Sequence, residues 1–106
     1  MTKYLAAFAG RHNVRVNAVL PGFVVQDENM KHFIEPANFR YRKTAEFCHP
    51  LGQVCSSDEI ANVVLFLCSK ESGGITGQSL IVDKGLSLEE QSNLVFRFSK
   101  NKRWIK

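Results

Sequence analysis

Nine consecutive residues constrain this chain more than any others: Val14-Arg15-Val16-Asn17-Ala18-Val19-Leu20-Pro21-Gly22. The first seven predict a short strand of a parallel sheet, because Val14, Val16, Val19 and Leu20 favour extended backbone and the run stops at Pro-Gly. Proline withholds a backbone donor and glycine withholds a side chain. At the carboxyl end of a strand in an open α/β sheet, that pair leaves a low wall where a flat ligand can approach main chain, and ligands bind at such ends.

The flanking segments fit an α/β unit. Thr2 to His12 places Leu5, Phe8, Ala9 and His12 on one helical face, with Thr2 as the expected cap and Asn13 as the closing residue. Pro50-Leu51-Gly52 punctuates the chain, and Ser56 with Glu59 has capping-box spacing, the cap residue alone contributing about 1 kcal/mol. The helix that follows carries Ile60, Val63, Val64, Leu67 and Cys68 with Ala61, Leu65 and Phe66 beside them, so it is expected to be buried on two sides. Ser72-Gly73-Gly74 ends it, and Ile75-Thr76-Gly77-Gln78 turns into a second apolar strand, Ser79 to Asp83. Strand, helical crossover and strand make a right-handed parallel unit. Two parallel strands are not expected to stand alone, so further strands or a covering layer are expected from elsewhere.

Between the two halves of this unit, Phe23 to His49 is long and aromatic. Gln26-Asp27-Glu28-Asn29 is turn-like, Met30, Phe33 and Ile34 form a helical stripe, Pro36 interrupts it, and Tyr41 to Phe47 gives a second helical stretch ringed by Arg40, Arg42 and Lys43. Such an insert after a binding edge reads either as a lid or substrate loop or as a surface connection. Its aromatics suit an apolar substrate and its cations a polar or anionic one.

Composition narrows the class. At 106 residues with 44% hydrophobic content, the chain has the material for one domain's core. No apolar run approaches the roughly 20 residues needed to cross a bilayer, so no membrane role is expected. The net charge is +4, but residues 97–106 hold five of the 14 basic residues and no acid, leaving a nearly neutral body. This basic tail, with Trp104, reads as a frayed, solvated end rather than a nucleic-acid contact. Cys48, Cys55 and Cys68 are odd in number and lack paired spacing, which indicates a reducing, cytoplasmic setting rather than a disulfide framework. His49 beside Cys48, with Cys55 nearby, offers no fourth ligand at a sensible spacing, and no metal site is assigned.

Taken together, Thr2-Lys3-Tyr4-Leu5-Ala6, Val14 through Val24, Pro50-Leu51-Gly52, Asp58-Glu59-Ile60-Ala61 with Phe66-Leu67-Cys68-Ser69, and Ile75-Thr76-Gly77-Gln78 through Val82-Asp83 resemble, in order and spacing, the C-terminal half of a short-chain dehydrogenase/reductase. The resemblance covers roughly residues 2–88, with 89–106 left as the tail and 23–49 as the substrate or lid loop. It implies a partial Rossmann-like, doubly wound parallel α/β sheet, of which this chain holds the last two strands and their helices. It also implies NAD or NADP as cofactor and a small carbonyl or alcohol substrate. Pro21 and Gly22 would lie against the nicotinamide, the Val24 main chain would meet its carboxamide, and Gln26 stands where the family usually has a cofactor-binding Thr. The usual Val-Asp-Gly-Gly is here Val82-Asp83-Lys84-Gly85, where the lost glycine makes a positive φ harder to adopt. The family's glycine-rich phosphate loop, catalytic Ser and Tyr-x-x-x-Lys have no counterpart, since Tyr4 is followed at the lysine position by Phe8. No catalytic residue is assigned.

The resemblance therefore implies part of a nicotinamide-dependent oxidoreductase that is inactive alone. The alternative is a non-catalytic protein that pairs with a related full-length subunit through its open strand edge or first helix, whose twin packs across a homo-oligomer interface in the family. Arg15 and Asn17 can be read as a polar active-site pair, but the expected role of Asn17 is structural, its amide tying neighbouring loops.

Overall fold

The structure, a computed structural model, describes residues 1–100. It is mixed α/β with small parallel sheets, and it divides into two compact units: Met1–Pro21 with Asp58–Val82, and Gly22–Ser57 with the chain from Asp83 onward.

In the first unit, helix α1 (Thr2–Gly10) leads to strand β1 (Ala18–Pro21). Thr2 lies inside α1 rather than capping it; Met1 is the cap position and no side-chain bond closes that end. The other end closes as expected at Asn13, which adopts φ 59°. The Val14 amide donates to the Ala9 carbonyl at 3.1 Å and the Asn13 amide to Gly10 at 3.0 Å, the paired bonds of a left-handed helix terminus. The buried residue of α1 is Ala6, 5% exposed, while Leu5 and Phe8 of the apolar face are exposed. Ala6 faces Gly77, where an added Cβ would stand 3.5 Å from its methyl, an ordinary contact distance.

The predicted strand from Val14 to Leu20 forms over its second half. Strand β1 pairs in parallel with the last strand of the unit (Ser79–Val82), in the register Ala18↔Ser79 to Pro21↔Val82. Before Ala18 the neighbouring backbone turns through residues 75–78; the Gly77 amide still donates to the Val16 carbonyl at 2.8 Å, and side chains add the remaining bonds. The Val16 amide donates to Thr76 Oγ1 at 3.1 Å, Asn17 Nδ2 donates to the Ile75 carbonyl at 3.0 Å, and Asn17 Oδ1 accepts from the Gln78 amide at 3.1 Å. Asn17 is thus the expected loop tie.

Arg15 has the larger structural role. Its guanidinium donates to the carbonyls of Leu67, Ser69, Ser72 and Ile75 at 2.8, 3.2, 2.9 and 3.1 Å. Leu67 lies in the last turn of the long helix that runs from Ser57 to Cys68, so a cation sits where that helix leaves carbonyls unpaired and carries partial negative charge. The fully buried Ser72 hydroxyl adds bonds to Leu67 and Ser69 at 2.9 and 3.0 Å. The helix begins directly after Ser56, as its capping spacing predicts. It is not buried on two sides: Leu67 is buried, but Val64, Leu65 and Phe66 are exposed, Leu65 at 67%.

In the second unit, the segment after Gly22 is folded. Strand β2 (Val24–Val25) precedes α2 (Asp27–Phe33), a single 3-10 turn (Pro36–Asn38) and α3 (Phe39–Cys48). Pro36 starts the turn, the first position where a missing amide leaves no bond unmade. Beyond α3, strand β3 (Cys55–Ser56) pairs in parallel with β2, Val24↔Cys55 and Val25↔Ser56. This second pair adds to the two strands predicted from sequence; two-residue strands are too short to show a period. With the helix Ser57–Cys68 as α4 and Ser79–Val82 as β4, the last element is α5 (Gln91–Lys100). The expected frayed end is therefore corrected for residues 97–100, which close α5, where Phe98 meets Phe47 edge-on at 6.0 Å and Arg97 pairs with Glu89 at 2.6 Å. The remainder of the predicted basic tail, with Trp104, lies outside the described residues.

Arg15→Lys keeps the charge but loses the fork that reaches four carbonyls. It is expected to destabilise the chain by about 2 kcal/mol, read as a lower urea midpoint with the slope unchanged.

Candidate nicotinamide and substrate wall

The second unit contains a cavity of about 450 Å³ lined by Phe23, Val24, Val25, Asn29, His32, Phe33, Asn38 and Tyr41. Local folding explains the grouping. Strand β2 supplies the floor, α2 turns Asn29, His32 and Phe33 toward it at three- and four-residue spacing, and Tyr41 comes from the first turn of α3. Asn38 Nδ2 donates to the His32 carbonyl at 2.9 Å and so ties the turn back onto α2. The rings of Phe23 and Phe33 are 6.5 Å apart, and Tyr41 lies 6.3 Å from each. Phe33 and Tyr41 meet edge-on and Phe23 is tilted against both, so the three form one aromatic wall.

The loop cations are not part of it. Arg42 and Lys43 each sit 5.8 Å from the Phe39 ring and pair with Glu46 at 3.7 and 3.4 Å. Neither they nor Arg40 line the cavity.

His49 is 1% exposed and packs edge-on against Phe23 at 6.2 Å. Its Nδ1–H donates to the Ala45 carbonyl at 2.6 Å, and Cys55 is equally buried. No group of three or more metal-ligating side chains occurs among the described residues.

The four candidate wall residues are placed differently. Pro21 is the last residue of β1, opposite Val82. It fits an edge, because a proline cannot donate to a ladder. Gly22 lacks a side chain for a reason internal to the protein: a Cβ there would stand 2.5 Å from the Asp83 Cβ. Asp83 therefore requires a glycine here, whatever else lies against it. Val24 lines the cavity. Gln26 is exposed, stands at the start of α2 without capping it, and does not line the cavity. The residues present fit the ring end of a dinucleotide beside Val24; no lysine, arginine or glycine among the lining residues fits its phosphates.

Asp83 is the polar residue that sequence reasoning passed over. Buried, it accepts from the Gly85 amide at 2.9 Å and the Ser87 amide at 2.8 Å, holding a tight turn. In that turn Lys84 adopts φ 53° and Gly85 φ 90°, so the residue replacing the family's glycine does sit in the left-handed region. Gly85 also admits Pro50, whose Cγ would be 2.9 Å from an added Cβ, which fastens Pro50-Leu51-Gly52 to the turn. The hydrogen bonds from Ser87, chiefly its backbone amide, hold the Asp83 carboxyl below its ordinary pKa, with Gly85 and His49 adding to the effect against the opposing pull of burial.

Residues 1–87 match the family described as enoyl-(acyl carrier protein) reductase. The chain belongs to this family of short-chain dehydrogenases/reductases. It is 40% identical over 86 residues to mouse (3R)-3-hydroxyacyl-CoA dehydrogenase, covering 81% of this chain and 31% of that one. To the 3-oxoacyl-[acyl-carrier-protein] reductase FabG of Thermotoga maritima it is 41% identical over 86 residues, 81% of this chain and 33% of the other. Among solved structures, it resembles YwfH, an NADPH-dependent reductase involved in bacilysin biosynthesis, with TM-score 0.67 at 29% identity over 80% of this chain and 34% of that one. The chain thus spans about a third of the length of the relatives it matches.

Because Asp83 is more acidic folded than unfolded, its stabilisation is complete above the ordinary value of 3.8 and is lost as pH falls through the lower folded value. The urea midpoint should fall below about pH 4 in the native chain, and Asp83→Asn should flatten that part of the profile. Parallel profiles for the two proteins would refute the assignment.

Proposed function

We propose that the chain is the C-terminal part of an NAD(P)(H)-dependent short-chain oxidoreductase, inactive without the remainder of such an enzyme. In this reading Pro21, Gly22, Val24 and Gln26 form the nicotinamide-side wall, and residues 23–49 of the portion 1–88 are the substrate loop over a small carbonyl or alcohol compound. The single observation that carries it is Val24, a residue of the family-matched segment that also lines the aromatic cavity.

When bound, the cofactor supplies or accepts the hydride. The chain's own residues shape the space beside it. Val24 and Val25 are held in register by β3, and Phe23, Phe33 and Tyr41 exclude water from one side. Proton transfer needs a group held beside the reacting oxygen, and the family's Ser and Tyr-x-x-x-Lys match nothing in this sequence. Among the described residues no helix is long and apolar enough to cross a membrane. A cytoplasmic setting remains part of the proposal, on the cysteine pattern alone.

The 106-residue chain is expected to show no turnover of ketones or alcohols with NAD(H) or NADP(H) in a nicotinamide absorbance assay. A reproducible rate abolished by one substitution within the chain would overturn the proposal.

One observation favours a second reading, in which the chain pairs with a related full-length subunit. Strands β1 and β4 pair only with each other among the described residues, and Leu20, Ile81, Tyr4 and Phe8 are exposed, Ile81 at 60%. Exposed apolar strand edges recruit partners or aggregate. Co-expression with a full-length relative should then yield a co-purifying complex, whereas a well-folded monomer in dilute solution would exclude this reading.

A further inference from the structure

The lining of the second unit's cavity carries information on ligand class beyond the oxidoreductase reading. Its wall is three mutually contacting rings, Phe23, Phe33 and Tyr41, at 6.3 to 6.5 Å. Phe33 is buried, but Tyr41 is 59% exposed, so much of its ring is uncovered. No lysine or arginine lines the cavity, and the loop cations nearest in sequence are engaged with Phe39 and Glu46. Its one basic side chain, His32, lies 3.5 Å from the Glu35 carboxylate. An anionic ligand would lose hydration here without a free cation to replace it. The neutral donors left are the Asn29 carboxamide and the Tyr41 hydroxyl, neither of which has a hydrogen-bond partner among the described residues.

We propose that this cavity binds a neutral aromatic ketone or the matching alcohol, the ring against Phe23, Phe33 and Tyr41 and the oxygen accepting from Asn29 or Tyr41. The assignment rests on reading residues 23–49 as the substrate loop and names the class of substrate that the loop takes. Stacking supplies the attraction, and the two donors orient the oxygen. A cavity of about 450 Å³ is within the range of small-molecule sites and leaves room for ring substituents.

Saturation-transfer NMR on the full 106-residue chain tests the proposal with three probes: acetophenone, the aliphatic ketone 2-butanone and the anionic aromatic ketone phenylglyoxylate. Acetophenone should receive the strongest transfer, most of it at ring protons. Tyr41→Ala should weaken its binding about tenfold and Tyr41→Phe much less. Asn29→Ala, which leaves every ring in place, should weaken it about threefold. No transfer to acetophenone, equal or greater transfer to phenylglyoxylate or 2-butanone, or unchanged binding in Tyr41→Ala and Asn29→Ala would each overturn the assignment. The two readings fail separately. Loss of the aromatic preference overturns the ligand class and leaves the oxidoreductase reading standing, whereas a nicotinamide-dependent rate of the chain alone that one substitution abolishes overturns the oxidoreductase reading and leaves the ligand class standing.

Discussion

The guanidinium of Arg15 holds the first unit together. Four carbonyls, from Leu67 to Ile75, converge on it where a helix ends and the chain must reverse toward β4. Helix ends leave carbonyls unpaired, and in water they would be solvated; here a planar cation collects them and fixes the path between two elements. Asn17, two residues on, does the same with one acceptor and one donor for the turn that enters β4. The alternation of polar Arg15 and Asn17 with apolar Val14 and Val16 thus serves a strand whose neighbour, over its first half, is a loop.

In the second unit the organising constraint is closeness. Gly22 admits Asp83, Gly85 admits Pro50, and Asp83 draws the amides of Gly85 and Ser87 around its carboxylate. Around this turn, His49 and Cys55 fill space, and the aromatic side chains of β2, α2 and α3 form the cavity wall. The distribution of charge there is as informative as the apolar content: cations on α3 turn toward Phe39 and Glu46, and the cavity keeps neutral donors.

Much of the architecture was readable from the residues. The capping spacing at Ser56 and Glu59, the closing role of Asn13 and the role of Asn17 all follow from local chemistry that a sequence displays, whereas Lys84 takes the positive φ that its side chain argued against. Burial was read less well. Leu5 and Phe8 define the strongest apolar stripe of α1, a face that suits an interface as well as the chain's own sheet, yet Ala6 is the residue inside. Likewise α4 is apolar nearly all round but buries Leu67 alone among its residues. Periodicity reports how apolar a face is and not what covers it. The β2–β3 pair escaped notice because two residues carry no period, and the meaning of Gly22 because its constraint comes from Asp83, distant in sequence.

The parallel pairing of β1 with β4 has a consequence for synthesis. Asn17 and Gln78, whose bond opens that pairing, are 61 residues apart. At about 5–20 residues per second on the ribosome, β1 emerges several seconds before its partner exists. For that interval Val19 and Leu20 sit on a nascent chain with their backbone donors and acceptors unmet and Arg15 without its carbonyls. Nothing local can stand in, since a parallel partner needs a long crossover. The length of that exposure is set by translation speed rather than by the stability of the finished fold.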